Sequence, residues 1–134
     1  MIKNSLNINS ACAMLPQRDA AGHKGRFGNV LLVCGSKNMV GCCVLAAMGA
    51  LRSGAGLVTL AFPDVLYNSL TSRLTENLFL PLPSDEKGFL SADCVDIIAE
   101  KAEKADAVMV GCGIGTGEGA KALVKKLLTL PGKP

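Results

Sequence analysis

The chain has 134 residues, which is the size of one domain at most. Hydrophobic residues make up 49% of it and charged residues 19%, and the mean hydropathy of +0.36 is typical of an α/β protein whose strands are buried on both faces. The formal net charge of +3 comes from scattered basic residues, which argues against nucleic-acid binding.

The cysteines and the apolar segments indicate the cellular compartment. No C-x-x-C pair occurs, and most cysteines lie in or beside apolar segments, which favours free thiols in a reducing cytosol over disulfides. Because His23 is the single histidine, we expect no metal site. No segment has the apolar length of a membrane span, and residues 1–15 lack the features of a signal peptide. We therefore expect a cytoplasmic protein that binds no membrane.

The first half of the chain predicts a βαβ unit behind an irregular start. Residues 1–28 are polar and irregular, with a basic, glycine-punctuated end. Residues 29–34 predict a short buried strand, and apolar side chains recur at helical spacing over residues 41–53. Residues 57–61 predict a second buried strand. Strand, helix and strand in this order are typical of a parallel sheet.

The middle of the chain repeats this pattern less clearly. We expect a helix over residues 63–72, because Pro63 and the Asp after it suit a first helical turn. Residues 77–80 predict a weak strand that Pro81 and Pro83 close. Residues 84–88 predict a polar turn.

The last third predicts another helix–strand–helix series. Ser91 is a suitable cap for a helix that ends near residue 104, and residues 107–110 predict a third strand. A glycine-rich loop over residues 111–117 leads into a helix over 118–130. The series predicts a three-layer α/β/α sandwich with a mostly parallel sheet that is incomplete, because such a helix normally leads to another strand.

Two strands end in glycine-rich loops that open helices, at residues 35–41 and 111–117. In an open parallel sheet such loops meet at the carboxyl ends of the strands, where ligands bind, and helix N-termini suit phosphate. The alternative is that these glycines only make tight turns. The two loops together favour binding, although the second lacks the G-x-G-x-x-G register of a dinucleotide fingerprint.

Lys24 is a further candidate, because the glycines around it could bend the chain over a phosphate. A solvated basic loop is the alternative, since most lysines are exposed. No pair of carboxylates, Ser-His-Asp set or Walker motif is recognisable in the sequence. The residues alone thus predict a nucleotide-binding type of α/β fragment without catalytic groups.

Several stretches form one continuous signature. They are His-Lys-Gly-x-Phe-Gly at 23–28, Gly-Ser-x-x-Met-x-Gly-Cys at 35–42, and Ala-Leu-Arg-Ser-Gly-Ala-Gly-Leu-Val-Thr at 50–59. With Gly-Cys-Gly-Ile-Gly at 111–115, they resemble the NAD(P)H-hydrate dehydratases of the ribokinase-like superfamily. Ordinary sugar kinases share the fold of that superfamily but not the first and third stretches.

The resemblance implies a ribokinase-like fold and the repair of a damaged nicotinamide cofactor. In this family the C6-hydrate of NADH or NADPH is dehydrated, and ADP or ATP with Mg²⁺ activates the hydroxyl that leaves. By the resemblance, Cys42 and Gly115 contact the hydrate, and Gly41 and Gly113 support them. The family usually has Ala in place of Cys42 and Pro in place of Cys112, and a thiol at position 42 would crowd a tight site.

The resemblance also implies that part of the machinery is absent. The family's Gly-Thr-Gly-Asp motif, with the catalytic Asp, would follow Pro134. We therefore expect residues 1–134 to be the N-terminal portion of a single ribokinase-like domain, irregular over 1–28 and alternating over 29–134, inactive alone and associating as a homo-oligomer. Two alternatives remain open: a sugar or vitamin-precursor kinase of the same superfamily, and a non-catalytic oligomerising fragment.

Overall fold

Strands and helices alternate along most of the chain. The structure is a computed structural model that describes residues 7–15 and 18–131. The elements are α1 (Ile8–Met14), β1 (Asn29–Val33), α2 (Val40–Arg52), β2 (Leu57–Pro63), α3 (Tyr67–Thr71), β3 (Leu78–Leu82), α4 (Val95–Glu103), β4 (Ala107–Val110) and α5 (Glu118–Leu128). Short 3-10 helices occupy Lys24–Arg26, Asp64–Leu66 and Ala92–Cys94.

The four strands form one sheet in the order β3-β2-β1-β4, and every neighbouring pair is parallel. The chain therefore adds strands in one direction from β1 to β3 and then returns to the other side of β1 with β4. This reversal puts a topological switch point between β1 and β4, where open α/β sheets bind ligands.

Helices cover both faces of the sheet, as the predicted three-layer sandwich requires. Along β1 and the residue that follows it, Leu31 and Val33 join a core cluster with α4 and α5, whereas Leu32 and Cys34 join a cluster with α2 and α3. Successive residues of one strand thus enter opposite layers, because side chains alternate across a sheet. All four are at most 2% exposed, which accounts for the unbroken apolar run of β1.

The buried faces of the helices follow the helical period. In α2, Cys43 and Ala47 are four residues apart and both fully buried. In α5, the buried residues are Ala120, Leu123 and Leu127. Within the described parts of the chain, no helix combines the length and the apolar character that crossing a membrane requires.

Three local predictions from the sequence differ from the structure, in one case by a single residue. The start of the chain contains α1, which Asn7 and Ser10 cap reciprocally, although none of its residues is buried. Pro63 ends β2, and the next helical turn begins at Asp64. Pro81 lies inside β3, where it is tolerated because β3 is an edge strand and needs hydrogen-bond donors on one side only.

Candidate functional site

The two glycine loops lie side by side at the carboxyl edge of the sheet. Gly35 N–H donates to the carbonyl of Cys112 at 2.8 Å, and Gly111 N–H donates to the carbonyl of Val33 at 3.2 Å. The loop after β1 is therefore bonded directly to the loop after β4 across the switch point. This confirms the expectation that the sheet brings residues 35–41 and 111–117 together.

The first turn of α2 packs against the β4 loop through Cys42 and Gly113. The Cys42 thiol lies 3.1 Å from the carbonyl oxygen of Cys112 and 2.8 Å from that of Met39. A Cβ placed on Gly113 would lie only 2.7 Å from Cys42 Sγ and 2.8 Å from Met39 Cβ. Gly113 also has a φ of +76°, so both its backbone and its surroundings require glycine.

The turn after β3 covers both loops, a contact that the sequence did not reveal. Ser84 and Leu90 bridge the base of this turn. Lys37 N–H donates to the carbonyl of Gly88 at 3.0 Å, and a Cβ on Gly115 would lie 2.5 Å from the ring of Phe89. Gly115 therefore provides the surface on which Phe89 packs. In the sequence, the glycine at position 88 was the available signal that the turn approaches another segment closely. In the structure, Gly88 has a φ of +78°.

Other glycines at this edge face open space. Apart from the adjoining residues and, for Gly41, the backbone of its own helix, a Cβ on Gly41, Gly111 or Gly117 would meet no atom within 4 Å. Gly41 lies in the first turn of α2, and Gly117 immediately precedes α5; neither helix has a side-chain cap. The backbone at these helix starts is consequently open to an approaching ligand.

The β4 loop also presents backbone donors. Within the described residues, no hydrogen bond is donated by the N–H groups of Cys112, Gly113, Gly115, Thr116 and Gly117. Exposed N–H groups beside helix N-termini, which carry partial positive charge, form a suitable cradle for an anionic group such as a pyrophosphate.

Thiols supply most of the ionisable chemistry between the loops. Burial, followed by the neighbouring Cys43, raises the pKa of Cys42. A hydrogen bond between Cys34 and Cys43 raises the pKa of Cys34 and lowers that of Cys43. Because Cys34 and Cys43 are 0% exposed, they contribute to packing rather than to contact with a ligand.

The carboxylates nearest this edge have structural partners. Asp64, just after β2, accepts a 2.7 Å hydrogen bond from the Ser84 hydroxyl. Asp85 accepts from the N–H groups of Lys87 and Phe89 at 2.9 Å and shapes the covering turn. In the described portion of the chain, no group of three or more His, Cys, Asp or Glu residues is arranged to hold a metal ion.

Lys24 lies at the other edge of the sheet. A Cβ on Gly56, the residue before β2, would lie against the Lys24 carbonyl, and Gly56 N–H donates to the carbonyls of Phe27 and Gly28 just ahead of β1. These contacts hold residues 24–28 at the amino ends of β1 and β2. The structure therefore brings together Gly41, Cys42, Gly113 and Gly115 but separates Lys24 from them, and a phosphate contact of Lys24 stays a prediction.

The sheet order and the glycine-edged switch point define an open α/β protein with a parallel sheet. A ribokinase-like superfamily protein from Enterococcus faecalis superposes with a TM-score of 0.68 at 24% identity, over 84% of this chain and 36% of that one. The likeness confirms the predicted fold.

The sequence comparisons are more specific. The family model described as NAD(P)H-hydrate dehydratase matches residues 30–131, and the chain belongs to this family. The ADP/ATP-dependent NAD(P)H-hydrate dehydratase of Bacillus subtilis, co-crystallised with ATP and Mg²⁺, is 28% identical with a TM-score of 0.68, over 90% of this chain and 40% of that one. The bifunctional NAD(P)H-hydrate repair enzyme Nnr of Moorella thermoacetica is 40% identical over 116 residues, which is 87% of this chain and 22% of that protein.

These matches cover only part of each relative. The chain spans 22% of the bifunctional Moorella protein and 40% of the Bacillus dehydratase chain. The family assignment therefore rests on residues 30–131 of this chain.

Proposed function

We propose that the chain supplies part of the substrate site of an NAD(P)H-hydrate dehydratase, which dehydrates the C6-hydrate of NADH or NADPH with ADP or ATP. The observation that supports this most directly is the open backbone at the switch point, where uncapped helices α2 and α5 start beside unbonded N–H groups. Such an edge suits the pyrophosphate of a dinucleotide.

We assign the contacts residue by residue. Gly41 leaves room at the start of α2, and the Cys42 thiol lines the gap between α2 and the β4 loop. Gly113 lets that loop approach α2, while Gly115 seats Phe89 and exposes its own N–H to a ligand. Bound in this way, the hydrate would be oriented by backbone groups of the chain.

Binding of the nucleotide that drives the reaction needs other residues than the four that we assign to the hydrate. ADP or ATP with Mg²⁺ would supply the phosphoryl group that activates the hydroxyl, but the described residues do not present a metal-ligand set. Asp64 and Asp85 are engaged by Ser84 and by the covering turn. We therefore propose that the catalytic Asp is not among the described residues. We also propose that the protein acts in the cytoplasm.

A chimera tests the proposed function. Residues 30–131 would replace the matching segment of the Bacillus subtilis relative, and recovery of NADPH absorbance from its hydrate would be followed with ADP or ATP. We expect turnover by the chimera and none by the 134-residue chain alone, because phosphoryl transfer needs an anchored nucleotide. A folded chimera that phosphorylates a sugar or a vitamin precursor and leaves the hydrate intact would favour the kinase alternative.

A further inference from the structure

Four of the six cysteines meet at the carboxyl edge of the sheet. Cys34 follows β1, Cys42 and Cys43 lie in the first turns of α2, and Cys112 lies in the β4 loop. All four are free thiols, and they differ in exposure: Cys34 and Cys43 are buried, Cys42 is half-buried and Cys112 is exposed. The cluster therefore has one thiol at the surface and others behind it.

The backbone of Cys112 is fixed beside the Cys42 sulfur. The Cys112 carbonyl accepts a hydrogen bond from Gly35 N–H at 2.8 Å and lies 3.1 Å from Cys42 Sγ. The glycine after it, Gly113, faces the same sulfur, because a Cβ there would come within 2.7 Å of it. The Cys42 sulfur therefore lies within hydrogen-bonding distance of the residue that carries the exposed thiol.

We propose that Cys112 and Cys42 form a reactive thiol pair that takes a low-molecular-weight disulfide, of the glutathione class, as its reaction partner and closes to a Cys42–Cys112 bridge. Cys112 is the entry point because it is the exposed member of the cluster. Cys42 is the resolving thiol because it lies against the Cys112 backbone.

The chemistry is two successive thiol–disulfide exchanges. The Cys112 thiolate attacks one sulfur of the small disulfide, whose S–S bond breaks, and one small thiolate leaves. The Cys42 thiol, whose pKa burial raises, then loses its proton, and its thiolate attacks the Cys112 sulfur of the mixed disulfide and expels the second small thiolate. Two protein thiols are oxidised to one disulfide and one small disulfide is reduced to two thiols, and the two protons that the protein thiols lose are taken up, through solvent, by the two departing small thiolates.

The bridge would close the gap between the start of α2 and the β4 loop. Residues on both sides of this gap are those assigned to the hydrate, so oxidation would block its entry. This consequence rests on the proposed function, whereas formation of the bridge does not. Loss of the bridge and loss of hydrate binding are therefore separate results.

Mass spectrometry of the folded chain tests the pair. The chain would be incubated with oxidised glutathione, quenched with acid and digested, and we expect a glutathione adduct on Cys112 that converts to a Cys42–Cys112 crosslink with loss of two hydrogens. Cys42→Ala should stop at the adduct, and Cys112→Ser should give neither product at this edge. Cys12 in α1 is exposed and provides the control, since Cys12→Ser should leave the crosslink unchanged.

Three results would contradict the proposed thiol pair. A stable adduct on Cys112 in the unsubstituted chain, with no crosslink to Cys42, would overturn the proposal. A crosslink between two chains, or an equal yield from chain unfolded in denaturant, would also overturn it, because the pairing would then not come from the fold.

Discussion

Glycine residues at the carboxyl edge serve two different purposes. Gly113 and Gly115 have positive φ values and touch Cys42 and Phe89, so they allow segments to pack closely. Gly41 has neither constraint and faces open space at the start of α2. A substitution at Gly115 would therefore disturb the fold and the site together, whereas one at Gly41 probes the site alone.

Gly41→Gln should weaken dinucleotide binding without weakening the fold. Replacing an exposed helical glycine by glutamine stabilises a helix by about 0.5–1 kcal/mol, while the new side chain would occupy the ligand's space. Gly49→Gln in the same helix is the matched control, since a Cβ there also meets nothing within 4 Å. Calorimetry with NADPH hydrate should show a loss of affinity of about tenfold or more for Gly41→Gln only. Equal affinities for the two variants would move the site away from α2.

Cys94 should make stability fall at alkaline pH. Burial raises the pKa of this thiol above its ordinary value of 9.0, and the thiol lies 3.3 Å from the carbonyl of Pro83. A raised pKa in the folded state means that stability is fully present below the unfolded pKa and falls as the pH rises through the folded pKa. The slope is about 1.4 kcal/mol per pH unit for one thiol. Cys94→Ala should show a shallower fall in urea unfolding between neutral pH and a pH above 9.0, and parallel curves would contradict this.

At the scale of elements, the sequence predicted the apolar strands, but it did not predict a helix without buried residues or a proline inside an edge strand. The sequence located β1, β2 and β4 within a few residues, because each strand packs apolar side chains against both core clusters. It missed α1, which has no buried residue and therefore no apolar period to detect. It also missed the strand position of Pro81, which depends on β3 being at the edge of the sheet.

The position of the candidate site was predictable from the parallel strands, but the contacts that other segments make with it were not. Parallel strands oblige the loops after β1 and β4 to share an edge, so their glycines indicated the edge at which the candidate site lies. The covering turn was visible only as a polar turn, because the contact between Phe89 and Gly115 joins segments far apart in sequence. The order of the strands did not predict the position of Lys24, because the segment that contains it packs against Gly56 at the opposite edge of the sheet.

The turn between Ser84 and Leu90 should depend on Phe89 for its position over the loops. Phe89→Ala would remove the ring that packs on Gly115, at a cost of about 1–2 kcal/mol because the ring is half-buried. Amide hydrogen exchange of Lys37, which donates to Gly88, should then accelerate about tenfold. Phe27→Ala at the opposite edge is the control and should leave this amide unchanged. Unaltered exchange in Phe89→Ala would show that the backbone bonds alone hold the turn.

At the scale of the whole molecule, the outer strand β4 borders an open apolar groove. In the described part of the chain, β4 pairs with β1 alone, and its free side borders a groove of about 270 Å³. The groove is lined mainly by apolar side chains of α4, β4 and α5, including Ala102, Val108, Val110 and Leu127. An apolar groove beside an open strand edge exposes both unpaired backbone groups and hydrophobic area, and both favour association.

We therefore expect the chain to self-associate through the β4 edge. Ala107 is exposed on β4 and lines the groove, so Ala107→Lys places a charge where another strand would pair. Leu78→Lys is the matched control on the opposite edge strand β3, where Leu78 is 53% exposed. Light scattering should show a mass that rises with concentration for the unsubstituted chain and for Leu78→Lys, and a smaller mass for Ala107→Lys. A monomer at every concentration would contradict association, and dispersal by Leu78→Lys alone would transfer it to the β3 edge.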